Sequence, residues 1–137
     1  MIVLDSGVLY AIADADDRHH RSCVDLIAAE VGRLVVPAPV IVETAWMIES
    51  RLGPSVEAAF VDSLVGGELE RADLIDEDWR RLSELVRRYA DLGLGTVDAS
   101  VVAIAEHLDV ERLVTVDRRH FSVVRPRHRD AFVLLPN

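Results

Sequence analysis

Lysine is absent from this chain, and all fifteen of its basic residues are arginine. That absence excludes a P-loop nucleotide enzyme, which needs a lysine behind a glycine-rich turn, and a receiver domain, whose acidic pocket has a lysine nearby. Cysteine occurs once, at Cys23, so no internal disulfide can form, and no Cys/His cluster has the spacing of a structural zinc site. Cys23 fits a small buried hydrophobe on a helix. Although half of the residues are hydrophobic, charges interrupt every apolar run before it reaches the roughly 18 residues of a membrane span. No membrane association is expected. The opening Met1-Ile2-Val3-Leu4 before Asp5 lacks the basic start and long apolar stretch of a secretory signal, so a cytoplasmic location is expected. Net positive charge is missing too. A formal net charge of −9 argues against a protein that coats nucleic acid through charge alone.

What is present fits one domain spanning 1–137, large enough to bury a core without staples. Ile2-Val3-Leu4 reads as a first strand, followed by a helix from Val8 to Ala13. The Asp14-Ala15-Asp16-Asp17 cluster caps a second helix with Cys23, Leu26, Ile27 and Val31 at helical spacing and Gly32 as its stop. Leu34-Val35-Val36 makes a second strand, and Pro37 and Pro39 fit the start of a third helix through Val42, Ala45 and Ile48. Gly53-Pro54 separates it from a fourth helix reaching Val65, and a short strand falls within Leu69 to Leu74. Trp79, Leu82, Leu85, Val86 and Tyr89 repeat at helical period, with Arg80, Arg81, Arg87 and Arg88 on a face expected to be solvated. A helix from Val97 to His107 and strands at Leu113 to Val116 and Phe132 to Leu135 complete the series. Strands alternating with helices predict an α/β fold on a parallel sheet.

Open parallel sheets bind ligands beyond the carboxyl ends of their strands. Asp5 ends the first strand, Asp117 ends the Leu113 strand, and Asp98 falls in the first turn of its helix. Glu43 has Pro39, Val40, Trp46 and Met47 as helical neighbours, so it projects from an apolar face where an unpaired carboxylate is costly. Each has a plainer reading alone. Asp5 could cap a helix, Asp98 complement a helix dipole, Asp117 occupy a turn, and Glu43 pair with an arginine. A shared site accounts for all four with one cause. Carboxylates brought close repel and retain protons unless cations neutralise them. Hard oxygen ligands of this kind select Mg²⁺ or Mn²⁺, which can activate water against a phosphodiester. Arg118, Arg119, Arg125, Arg127 and Arg129 crowd the end of the chain. They form either a local basic strip or a solvated surface. Arg118 and Arg119, next to Asp117, are the candidate RNA phosphate holders.

Five segments together resemble the VapC-type PIN-domain ribonucleases, toxins of VapBC toxin–antitoxin pairs: Ile2 through Gly7, Asp17 through His20, Val40 through Glu43, Leu94 through Ala99, and Thr115-Val116-Asp117 with Phe121. The resemblance spans nearly the whole chain. It implies a PIN-like domain whose mostly parallel sheet, of about four or five strands, is flanked by helices. Asp5 and Asp98 would be the main Mg²⁺ ligands, Glu43 and Asp117 would complete the acidic cluster, and Ser6 or Thr115 would support it by hydrogen bonds. It further implies an RNA substrate, a homodimer, and a VapB-like antitoxin whose C-terminal arm covers the acidic cleft. His19 and His20 match the family segment without an expected chemical role. Many relatives have Ser, Thr or Asn two residues after the first aspartate, where this chain has Gly7. A haloacid-dehalogenase-like phosphatase would need a second aspartate at that same place. The remaining alternative is a PIN-like RNA- or protein-binding module with an idle site, against which the filling of all four acidic positions weighs.

Overall fold

The computed structural model describes residues 1–136. Its centre is β1 (Ile2–Leu4), three wholly buried apolar residues paired in parallel on both sides. Burial of a Val, Leu or Ile side chain is worth about 1.5–3 kcal/mol, so this short strand is well anchored. On one side lie β2 (Leu34–Pro37) and then β3 (Glu70–Ala72); on the other lie β4 (Arg112–Val114) and then β5 (Val133–Leu135). All pairings are parallel, in the order β3-β2-β1-β4-β5. The continuous apolar runs of β1 and β2 suit the covered middle of a parallel sheet, while edge strand β3 reads Glu-Arg-Ala.

Helices make the crossovers. Between β1 and β2 run α1 (Ser6–Ala13) and α2 (His20–Ala29); between β2 and β3 run α3 (Ala38–Leu52) and α4 (Pro54–Val65); between β3 and β4 run α5 (Asp76–Arg88) and α6 (Thr96–His107). The chain moves outward from β1 to β3 and then crosses back to place β4 on the opposite side of β1. The direction of winding therefore reverses between β1 and β4, and a crevice opens at their carboxyl ends. Helix α6 is buried along most of its length, from Ala99 to Ala105, and packs against α5, α3 and β1.

Several expected details shift. Helix α1 begins two residues earlier than Val8, because Asp5 caps it directly by accepting the Ser6 N–H at 2.8 Å. Helix α2 stops before Val31, which is fully exposed instead of packed. Here the Glu30 carboxylate bonds to Arg112 and to the Gly32 N–H, drawing the chain out of the helix. Trp79, expected on the core face of α5, is half exposed. Arg81, expected on a solvated face, is buried, because Glu106 of α6 receives its guanidinium through two bonds of 2.8 and 2.9 Å. Strand β4 ends at Val114, so Thr115, Val116 and Asp117 lie beyond it. Among the described residues no helix is long and apolar enough to cross a membrane.

Candidate active site

Asp5 follows β1 and is nearly buried, with 8% of its surface exposed. One carboxylate oxygen accepts the Ser6 N–H at 2.8 Å, and the other faces the Thr115 hydroxyl at 3.1 Å. That hydroxyl has a single hydrogen, which it shares between Asp5 and the Asp117 carbonyl at 3.0 Å, while accepting the Asp117 N–H at 3.2 Å. Burial pushes the Asp5 carboxyl up from 3.8 to about 6, helped by the Asp98 charge and, more weakly, by Glu43. The Ser6 and Thr115 hydrogen bonds oppose that rise without cancelling it.

The remaining acids come from three other elements. Glu43, on α3, is half-buried and accepts a short hydrogen bond from the Ser6 hydroxyl through Oε1. Asp98 sits in the first turn of α6, with Oδ2 at 2.5 Å from His120 Nδ1. Asp117 follows β4 and stands at the rim, 60% exposed, where Arg119 donates to both of its oxygens. Asp5, Glu43, Asp98 and Asp117 line one cleft of about 200 Å³ together with Ser6, Gly7, Met47 and Val116. All four acids predicted from the sequence therefore meet at the crevice between β1 and β4.

Glu43 arrives there for a different reason from the one expected. Its neighbours Val42 and Trp46 are exposed, and Val40, Thr44 and Ile48 form the buried side of α3. The apolar face around Glu43 is thus a surface beside the cleft, and its partner is a serine hydroxyl, not an arginine. Arg118, expected to face phosphate, instead donates to the carbonyls of Leu134 and Pro136, fastening β5 and the segment after it. Arg119 is exposed at the rim. Gly7 also finds its explanation. A Cβ there would lie 2.7 Å from Cγ2 of Val116, so the valine occupies the space that a side chain at position 7 would need.

His120 is the site residue that the sequence reading missed. Its only signal was its place between Asp117 and the buried Phe121. The bond that matters crosses 22 positions and depends on the path of the loop after β4.

Among the described residues no three His, Cys, Asp or Glu side chains already stand as a finished ligand set. The reason is visible in the bonds. Asp117 is turned to Arg119, and Asp5 has both oxygens occupied by protein donors. Oδ1 of Asp98 and Oε2 of Glu43 receive no donor among the described residues. The donor chemistry fits a hard divalent cation: all are carboxylate oxygens, and the Asp5 carboxyl is held up by burial first and then by the like charges of Asp98 and Glu43, which such an ion would offset. A larger cavity, of about 410 Å³, lies between α5, α6 and the segment at Arg127 and His128. Of its three acids, Glu106 is paired with Arg81 and Asp78 with His107, and Arg127 also lines it, so positive groups balance Glu77 and the charge deficit of the first is lacking.

Comparison with known proteins agrees with this geometry. The PIN domain family model matches residues 2–125. Ribonuclease VapC26 of Mycobacterium tuberculosis is 30% identical over 135 residues, covering 98% of this chain and 100% of that protein. The structure of M. tuberculosis VapC20, a toxin that cleaves the sarcin–ricin loop, superposes with a TM-score of 0.78 at 18% identity, over 82% of this chain and 87% of that one. VapBC2 from Rickettsia felis, bound to a DNA fragment from its promoter, gives a TM-score of 0.70 at 17% identity over 98% of both chains.

Proposed function

The chain belongs to the PIN-domain family, in its VapC-type branch, and from that premise we propose that it is a metal-dependent endoribonuclease, the toxin of a type II toxin–antitoxin pair. The observation that carries the proposal is the meeting of Asp5, Glu43, Asp98 and Asp117 in one cleft at the carboxyl ends of β1 and β4. The reaction is hydrolysis of an RNA phosphodiester: water attacks phosphorus, and the bond to one ribose oxygen breaks. Asp5, Asp98 and Glu43 would hold Mg²⁺ or Mn²⁺, with Asp117 completing the set from the rim. When bound, such an ion makes water a better nucleophile and offsets negative charge developing on the phosphate.

The chain's own groups prepare that chemistry. Ser6 bridges the Asp5 carboxylate to Glu43, donating its hydroxyl to the glutamate while its N–H donates to Oδ1 of Asp5. Thr115 joins Asp5 to the Asp117 backbone, tying together the chain beyond β1 and beyond β4. Arg119, exposed and on a long side chain, is placed to exchange its Asp117 contact for an RNA phosphate.

An antitoxin partner is part of the same proposal. Val42 and Trp46 on α3 and Val61 and Val65 on α4 are exposed apolar side chains beside the cleft-forming helix, the kind of surface that a partner covers. We place the pair in the cytoplasm, with the free toxin as a homodimer. The deciding experiment is cleavage of RNA by purified protein with and without Mg²⁺. Cleavage should vanish in chelator, return with Mg²⁺ or Mn²⁺, and be lost in Asp98→Ala, whose thermal melt matches the wild type. Full activity in chelator would refute the metal reading; no cleavage of any RNA would favour an idle binding module.

A further inference from the structure

Asp98 occupies the third helical position of α6, counting from Gly95 as the cap. An aspartate there can fold back onto the cap N–H, which is the ordinary way such a residue steadies a helix start. It does not do so here: no side chain caps α6. The carboxylate turns away from its own helix and meets His120 Nδ1 at 2.5 Å. A carboxylate can only accept, so Nδ1 carries the hydrogen, and the bond is charge-assisted and short.

The histidine is itself held. Its carbonyl accepts the N–H groups of Val123 and Val124 at 3.1 Å each, and Ser122 N–H bonds to Arg118 O at 2.9 Å, making a tight turn. Phe121 and Val124 are each 3% exposed, anchoring that turn in the core. The backbone of His120 is therefore fixed and its ring has only two side-chain torsions to settle, whereas an aspartate carboxylate left alone rotates broadly about its last torsion. His120 and Asp98 side chains are 17% and 26% exposed, so water competes weakly for the bond.

We propose that His120 is a positioning residue for Asp98: by holding Oδ2 it fixes the carboxylate plane and leaves Oδ1 as the oxygen offered to a divalent cation in the cleft. This rests on the metal-dependent reading above. Partners that orient a ligating carboxylate without touching the ion commonly change metal affinity about 10–100-fold when removed. His120 would be such a partner, supplied by the loop after β4 to a ligand on α6.

The test is Mn²⁺ binding to the intact protein, read by calorimetry without RNA, for wild type, Asp98→Ala, His120→Ala, His120→Asn and His120→Gln. Asparagine places an amide N–H near the position of Nδ1, while glutamine places it near Nε2. The expected result is a loss of about 10–100-fold in affinity for His120→Ala and His120→Gln, with most of it recovered by His120→Asn. Mn²⁺ affinity unchanged in His120→Ala, while Asp98→Ala has lost it, would overturn the positioning role and leave the metal site standing. Equal weakening in the alanine and asparagine variants would assign His120 to packing and equally overturn the proposal. Wild-type protein that binds no Mn²⁺ would remove the metal reading and this inference with it. Because asparagine and glutamine both retain polar bulk, their comparison decides the matter even if the alanine variant folds poorly.

Discussion

At Asp5 a carboxyl with an ordinary value of 3.8 is raised to about 6, by burial first and by the Asp98 charge second. Folding therefore favours the protonated form, and the penalty on the metal-free fold builds as pH rises from about 4 through about 6. Asp5→Asn should consequently stabilise the metal-free protein at pH 8 by about 1–3 kcal/mol while abolishing cleavage, and the gain should shrink toward zero below about pH 4. Urea midpoints across pH check this, and a pH-independent difference would contradict it. Gly7→Ala should cost about 1–2 kcal/mol despite alanine's better helix propensity, since its Cβ would meet Val116 Cγ2 at 2.7 Å. Adding Val116→Ala should recover most of that loss, again read from urea midpoints. Asp5 and Asp117 were legible at the ends of apolar runs and Asp98 at a helix start, each with a plainer reading alone and a shared one only when taken together. Glu43 was legible through neighbours whose exposure could not be read. His120 was not, because its meaning comes from a bond to Asp98 across a loop of irregular backbone.

Among the secondary-structure elements, the α5–α6 contact has the most to lose from a single change. Arg81 and Glu106 are each only 10% exposed, joined by a two-pronged bridge, and Glu106 also accepts the Arg127 N–H at 2.7 Å. Arg81→Ala would leave a buried carboxylate without its cation, at a cost of about 3–5 kcal/mol. Replacing both residues with methionine should cost much less, and denaturant titration of the two variants separates the cases. Every predicted helix and strand exists, since periodicity of 3.6 and runs of branched residues report local preference. Their ends and faces were less legible. Val31 lies outside α2 because Glu30 answers to Arg112, 82 positions away, and Arg81 is buried because α6 supplies an acid. Both outcomes depend on tertiary partners that no window of local sequence contains.

Over the whole molecule, charge and apolar surface are distributed unevenly: acids gather in the crevice, while Val42, Trp46, Val61 and Val65 face outward from α3 and α4. Trp46→Glu should weaken binding of the cognate antitoxin at least tenfold with an unchanged melting temperature, because large aromatic anchors dominate such interfaces. Affinity measured by calorimetry decides it, and undiminished binding would move the antitoxin to another face. The parallel sheet was foreseeable from alternation, but its order was not; that depends on which side of β1 the returning β4 takes. That central position of β1 has a bearing on assembly. β1 is enclosed on both sides only when β4, which comes after α6 in the chain, pairs with it at Val3 and Leu113. Asp98 and Asp117 follow Asp5 and Glu43 in the chain, so the second pair of acids joins the first only after three helical crossovers have been made. No stretch shorter than Asp5 to Asp117 can assemble the four acids, so the cleft comes into being only when the whole centre of the sheet has closed.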